Sequence, residues 1–174
     1  MFDKLWDFII EMWQKFIPCY IIKQYDMGVR LRLGKFHSVL SPGLTYKLPF
    51  VDEIITNQVV WTTMNLPPQS LVTLDEKNIV ISVVVKYRVT DIKTYLLEVY
   101  DASDAISDMT QGTVKKLVTS RDWQDCKSNK LETELTNKAK SEAAKWGIEI
   151  TTVTIANLGM IRSIRLFNDS TIVD

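Results

Sequence analysis

From residue 79 to 89 every second side chain is apolar: Ile79, Ile81, Val83, Val85, Tyr87 and Val89 alternate with Val80, Ser82, Val84, Lys86 and Arg88. A period of two puts the first set on one face of a strand and the second on the other. The first face is continuous and must be covered. The second turns polar toward its end, so it needs at most partial cover. A strand this long demands partners on its edges and helices on its apolar face, and the rest of the chain supplies candidates for both.

Upstream, Val29, Leu31 and Leu33 alternate with Arg30 and Arg32, as in a half-buried strand that Gly34 ends. Ser41-Pro42-Gly43 is a turn before a second strand over 44–48, and a third is expected over 54–62. The two prolines Pro67 and Pro68 each remove a ladder donor and bar their segment from a central strand. Downstream, Asp91 precedes a short helix over 92–99, and Asp101 is a candidate N-cap for a longer one over 102–118. Its buried stripe is Ile106, Met109, Leu117 and Val118, and Gly112 weakens its middle. Asn129 and Glu132 have capping-box spacing at the start of another helix. There Leu131, Leu135, Ala139 and Ala143 recur every four residues, Lys138, Lys140, Glu142 and Lys145 keep the outer face wet, and Gly147 follows as C′ residue. Alternation returns over 148–158 through Ile148, Ile150, Val153 and Ile155, with one slip. Strands, then helices, then a closing strand define an α+β domain.

Charge narrows the function. Twenty-one basic and 21 acidic side chains cancel, so the excess of positive charge that a sequence-independent nucleic-acid binder needs is missing. Zero net charge also does little to keep copies apart, which permits self-association. Two cysteines, Cys19 and Cys126, in unrelated surroundings make neither a disulfide framework nor a zinc site, and free thiols fit a reducing compartment. The N-terminus is not expected to be a secretory signal, because Asp3, Asp7 and Glu11 break its apolar stretch and no small-residue cleavage site follows.

That N-terminal stretch has helical period. On a wheel, Asp3, Lys4, Asp7, Glu11, Gln14 and Lys15 share an arc of about 120°, and Phe2, Leu5, Trp6, Phe8, Ile9, Ile10, Met12, Trp13, Phe16 and Ile17 fill an arc of about 200°. Pro18 ends the pattern. A spanning helix needs about 20 consecutive apolar residues, so an in-plane membrane helix over 1–21 is expected, with membrane contact through Phe2, Leu5, Trp6, Phe8, Ile9, Ile10, Trp13, Phe16 and Ile17. Packing as a core helix on its own domain, or on a partner protein, is the alternative, and the width of the apolar face argues against it. The helix itself carries two lysines against three acids. Over 20–50, however, five basic residues face one acid, a net of +4, and Lys23, Arg30 and Arg32 are candidates for lipid headgroup contact or for a solvated strand face.

Three stretches resemble a known family. Tyr25-Asp-Met-Gly-Val-Arg-Leu-Arg-Leu-Gly-Lys-Phe36, followed by Ser41-Pro-Gly-Leu44 and Leu48-Pro-Phe-Val-Asp52, is similar to the opening of the SPFH or Band 7 domain of stomatins, prohibitins, flotillins and the HflK/HflC proteins. Thr73 to Asp91 resembles the family's central strand, and Ala144-Lys-Trp-Gly-Ile-Glu-Ile-Thr-Thr-Val-Thr-Ile155 its helix-to-strand junction. The resemblance covers 22–158, on the stomatin/prohibitin side of the family. It implies a curved antiparallel sheet with two main helices and a closing strand. It further implies a monotopic protein on the cytoplasmic face of the inner or plasma membrane that assembles with itself into a ring or cage and organises a membrane patch. The implied partners are lipids, further copies and a membrane protease or another SPFH protein; a low-order adapter for such a partner is the second expectation. The tail over 159–174 lacks the heptads of the family's cage-wall helix, which favours a flat ring, a smaller assembly or insertion among longer relatives.

The resemblance carries no catalytic residue, and the residues themselves offer none. His37 is the only histidine, read as a solvated turn residue, and there is no phosphate-binding glycine loop and no GxSxG elbow. Asp101, Asp104, Asp108, Asp122 and Asp125 suit caps and wet helix faces better than carboxylate pairs. No enzyme, cofactor or metal is expected. Cys19, beside the membrane segment, is a candidate for acylation.

Overall fold

The computed structural model describes residues 19–161. The membrane-contact residues expected between Phe2 and Ile17, and the tail from residue 162, lie outside the described residues.

The described chain opens with β1 (Cys19–Ile22), which pairs antiparallel with β4 (Gly43–Tyr46) as a two-stranded ribbon. Beside it β2 (Asp26–Arg32) lies between β3 (Lys35–Leu40) and β5 (Asp52–Gln58) in an antiparallel three-stranded sheet. Strand β3 was not expected. Residues 33 and 34 form the two-residue loop of a β2–β3 hairpin with φ of 51° and 75°, the left-handed pair that matches strand twist. Gly34 thus turns the chain back instead of ending the sheet, and His37 sits on a strand, not in a turn. The strand expected over 54–62 is divided between β5 and β6 (Thr62–Asn65), which pair with different sheets.

The second sheet is organised by β8 (Asn78–Val89). Strands β6 and β7 (Gln69–Val72) succeed one another along one edge of it, joined through the two prolines, and β9 (Ile148–Met160) runs antiparallel along the other. The expected slip in β9 is two: the register shifts between Ser82 and Val83 and again between Lys86 and Tyr87. Each shift opposes two residues of β9 to one of β8, which bends the long strand around the core.

Helices cover the apolar face of β8. They are α1 (Ile92–Leu97), α2 (Ala102–Thr119), α3 (Trp123–Cys126) and α4 (Asn129–Ala143), the last closing through a 3₁₀ turn over Ala144–Trp146. Ile79, Ile81, Val83, Val85 and Tyr87 are buried against Ile106, Val114, Leu117 and Val118 of α2 and Leu131, Leu135, Ala139 and Ala143 of α4. Each large side chain fully removed from water in this layer contributes about 1.5–3 kcal/mol. Gly112 does not interrupt α2. A smaller cluster of Val29, Val89 and Ile92 joins the three-stranded sheet to α1.

One helix-end signal came out differently from the others. Asp91 caps α1 by accepting from the amides of Lys93 and Thr94, and Asp101 caps α2 through the Asp104 amide. The capping box at Asn129 does not form. Ser128 is the N-cap residue, and Glu132 Oε1 accepts the Ile155 amide of β9 at 2.8 Å. Thr136 Oγ1 likewise accepts the Val153 amide at 3.0 Å. These donors point away from β8 on an edge strand, and leaving them unpaired would cost more than a missing helix cap. Gly147 does end the helical segment with φ of 70°. Its carbonyl accepts from the amides of Thr90 and Asp91, and a Cβ there would come within 2.5 Å of the Asp91 carbonyl oxygen.

Candidate membrane-facing end

The end of the domain where residues 1–18 would join is built from the ribbon and two turns. Asp52, at the start of β5, organises it. Its side chain is fully buried, yet Arg32 grips both carboxylate oxygens, Nε to Oδ1 at 2.8 Å and Nη2 to Oδ2 at 3.1 Å. The Leu48 amide donates to Oδ2 at 3.0 Å, closing the 48–52 turn. The fork from Arg32, then the Leu48 amide, hold the carboxyl well below its usual range, at about 2. Arg30 Nη2 donates to Thr45 Oγ1 at 2.7 Å and to the Tyr46 carbonyl at 2.6 Å, tying the ribbon to β2.

The two arginines read as headgroup contacts are therefore joined to partners inside the domain. Lys23 is different: it is exposed, with its ammonium 5.6 Å from the centre of the Tyr25 ring. Cys19 is exposed at the first position of β1, and its thiol is free.

What sequence reasoning missed is a pair of apolar projections. Leu33 at the hairpin tip and Phe50 in the 48–52 turn both have left-handed backbone, φ 51° and 64°. They are 77% and 82% exposed. The Leu33 amide donates to the Val51 carbonyl at 2.9 Å, so the two turns are held side by side. Bulky residues pay roughly 1–2 kcal/mol for left-handed backbone. Strain of this kind clusters at functional sites, which makes the two turns a candidate. Leucine before glycine in a turn is the sequence signal for the first; nothing in the 48–52 stretch marks the second.

The projections continue onto the ribbon. Ile21 and Leu44 face each other across one rung and are 72% and 73% exposed. Cys19, Tyr20, Leu33, Lys47 and Phe50 line an open cleft of about 730 Å³ between ribbon and turns. Such a rim, apolar at its crest with a lysine set back from it, has the chemistry of a surface that enters hydrocarbon and meets charged headgroups. Among the described residues no group of His, Cys, Asp or Glu side chains is arranged to hold a metal, and no helix is long and apolar enough to cross a membrane. The buried Cys126 thiol is pushed up by burial, the opposite of an activated nucleophile.

The chain is similar to archaeal and bacterial proteins. It is 29% identical over 147 residues to an uncharacterised protein of Archaeoglobus fulgidus, covering 83% of this chain and 59% of that one. To a stomatin homologue of Pyrococcus horikoshii it is 25% identical over 140 residues, 79% of this chain and 53% of the relative. To protein HflK of Haemophilus influenzae it is 32% identical over 99 residues, 57% of this chain and 24% of the relative. The chain thus spans little more than half of the Archaeoglobus and Pyrococcus proteins and about a quarter of HflK. The model of the SPFH domain / Band 7 family matches residues 20–164, which takes in both sheets, the helices of the described residues and the Leu33–Phe50 rim. On that match the chain belongs to the SPFH, or Band 7, family.

Proposed function

We propose that this protein is a membrane-attached, non-enzymatic scaffold that assembles with copies of itself and organises a membrane patch or the proteins in it. The observation that carries the reading is the Leu33–Phe50 pair, two large apolar side chains held outward on strained backbone beside the point where the amphipathic segment joins. The segment lies in the plane of the membrane through Trp6, Ile9, Trp13 and their apolar neighbours. The rim seats the domain against the same leaflet, on the cytoplasmic face, with Lys23 and Lys47 at headgroup level. Cys19 stands at that boundary, where an acyl chain would add to the same attachment. The stomatin and HflK relatives support a role in membrane organisation or regulation.

Two measurements test the reading. Changing Trp6, Ile9 and Trp13 together to glutamate should move the protein to the soluble fraction; continued pelleting means that the helix is not the anchor. Imaging in native nanodiscs should show particles of many copies. Small particles dominated by another protein favour the second reading, a low-order adapter that holds a membrane protease or a longer SPFH relative, to which the similarity to HflK lends support.

A further inference from the structure

Strand-edge pairing is a poor route to self-assembly for the large sheet. The middle of the β9 edge is capped by Glu132 and Thr136 of α4, and the opposite edge is broken by Pro67 and Pro68 between two four-residue strands. Side-chain surfaces offer this part of the domain another route, and two of them are complementary.

The first lies where β9 begins. A cleft of about 590 Å³ is walled by Trp61, Thr90, Lys140, Ala144 and residues 148–151. The Arg88 guanidinium sits 4.6 Å from the centre of the exposed Trp61 ring and is paired with Glu149 at 2.7 Å. Arg88 and Glu149 cancel, and Lys140, which makes no ion pair among the described residues, leaves the cleft with net positive charge. An aromatic wall with an unbalanced ammonium suits an incoming aromatic ring flanked by carboxylates.

The second surface has that chemistry. Between α1 and α2 the chain turns at Tyr100 and Asp101, and Tyr100 is 100% exposed. Asp101 holds a left-handed φ of 47°. Three exposed acids, Glu98, Asp101 and Asp104, lie within four residues of it in the chain.

Both surfaces stand near the same end of β8. Helix α1, which leads to the Tyr100 turn, starts directly after β8, and the cleft borders Thr90 and Ile148 at that same end. Helix α2 lies toward β7, where Gln111 accepts from Gln69 at 2.7 Å, whereas α4 lies along β9.

We propose that the Tyr100–Asp101 turn of one copy seats in the Trp61–Lys140 cleft of the next. Two different surfaces make a head-to-tail contact, which repeats around a ring if the rotation closes. The ring tyrosine supplies buried aromatic area and the acids meet Lys140. This inference rests on the self-assembly proposed above and gives it an interface.

The test uses the full chain in its membranes with Cys19→Ser as background. Tyr100→Cys together with Thr151→Cys should give, on oxidation, a ladder of dimers, trimers and longer products, and neither cysteine alone should. Adding Lys140→Glu should cut the ladder about tenfold, and Glu98→Lys on top of it should restore most of the yield. Dimers from Tyr100→Cys alone would mean a symmetric contact and overturn the proposal. Multicopy particles in nanodiscs with no ladder would also overturn it while leaving self-assembly standing; particles of single copies would remove both.

Discussion

Replacing Leu33 and Phe50 by asparagine separates membrane contact from folding. Asparagine tolerates left-handed backbone better than leucine or phenylalanine, so both substitutions relax the two turns while deleting their apolar projections. The side chains are 77% and 82% exposed, so about four-fifths of each is available for transfer to lipid. At about 1.5–3 kcal/mol for a whole large side chain, the pair represents roughly 2.5–5 kcal/mol. With half of that area reaching hydrocarbon, the loss is roughly 1–2.5 kcal/mol, or about 5- to 70-fold in lipid partitioning. Flotation of the full-length double variant with liposomes over a range of lipid concentrations measures the partition coefficient, and thermal unfolding of the same preparation measures the fold. The expected result is weaker partitioning with a melting temperature equal to or above that of the parent. Unchanged partitioning in a folded variant would refute the assignment of this rim to the membrane. A fall in both quantities would show instead that the two side chains support the fold.

Three further outcomes follow from the packing. Gly147→Ala forces a Cβ against the Asp91 carbonyl at a left-handed φ and should cost at least about 1–2 kcal/mol in denaturant unfolding; a neutral result would mean that the helix-to-β9 junction yields. Gly112→Ala, within an unbroken helix and with open space around the position, should instead stabilise by about 0.5–1 kcal/mol. Acid should weaken the domain between about pH 4 and 2. The Asp52 carboxyl, gripped by Arg32, and the Asp75 carboxyl, bonded by Lys77, Thr73 and the Trp123 amide, are both lowered from 3.8 to about 2. The folded state therefore binds fewer protons than the unfolded chain in that window, and the stability these groups contribute is present above it and lost as pH falls through it. Asp52→Asn should flatten that part of the pH dependence of the melting temperature.

The residues whose pattern is periodic were legible without a structure. The strand from Ile79 to Val89, the α2 stripe of Ile106, Met109, Leu117 and Val118, of which Met109 is only half-buried, and the four-residue recurrence from Leu131 to Ala143 each specify an element and its buried face, because burial depends on the same spacing that defines the element. Gly147 was equally legible, since a left-handed helix end selects glycine from local geometry alone. Family membership could be read as well, from the order of those elements together with the words around them. What the tertiary structure alone decided was which partner each polar group takes. Arg30 and Arg32 look like solvent-facing cations on an alternating strand, but Asp52, twenty residues beyond Arg32, reaches them only once β5 has paired with β2. Glu132 matches a helix cap locally and is claimed by a β9 amide 23 positions away. Strand β3 and the Leu33–Phe50 rim belong to the same class. A two-residue turn and a left-handed phenylalanine are stabilised by contacts between segments distant in the chain, and local spacing carries no record of a long-range hydrogen bond such as that from Leu33 to Val51.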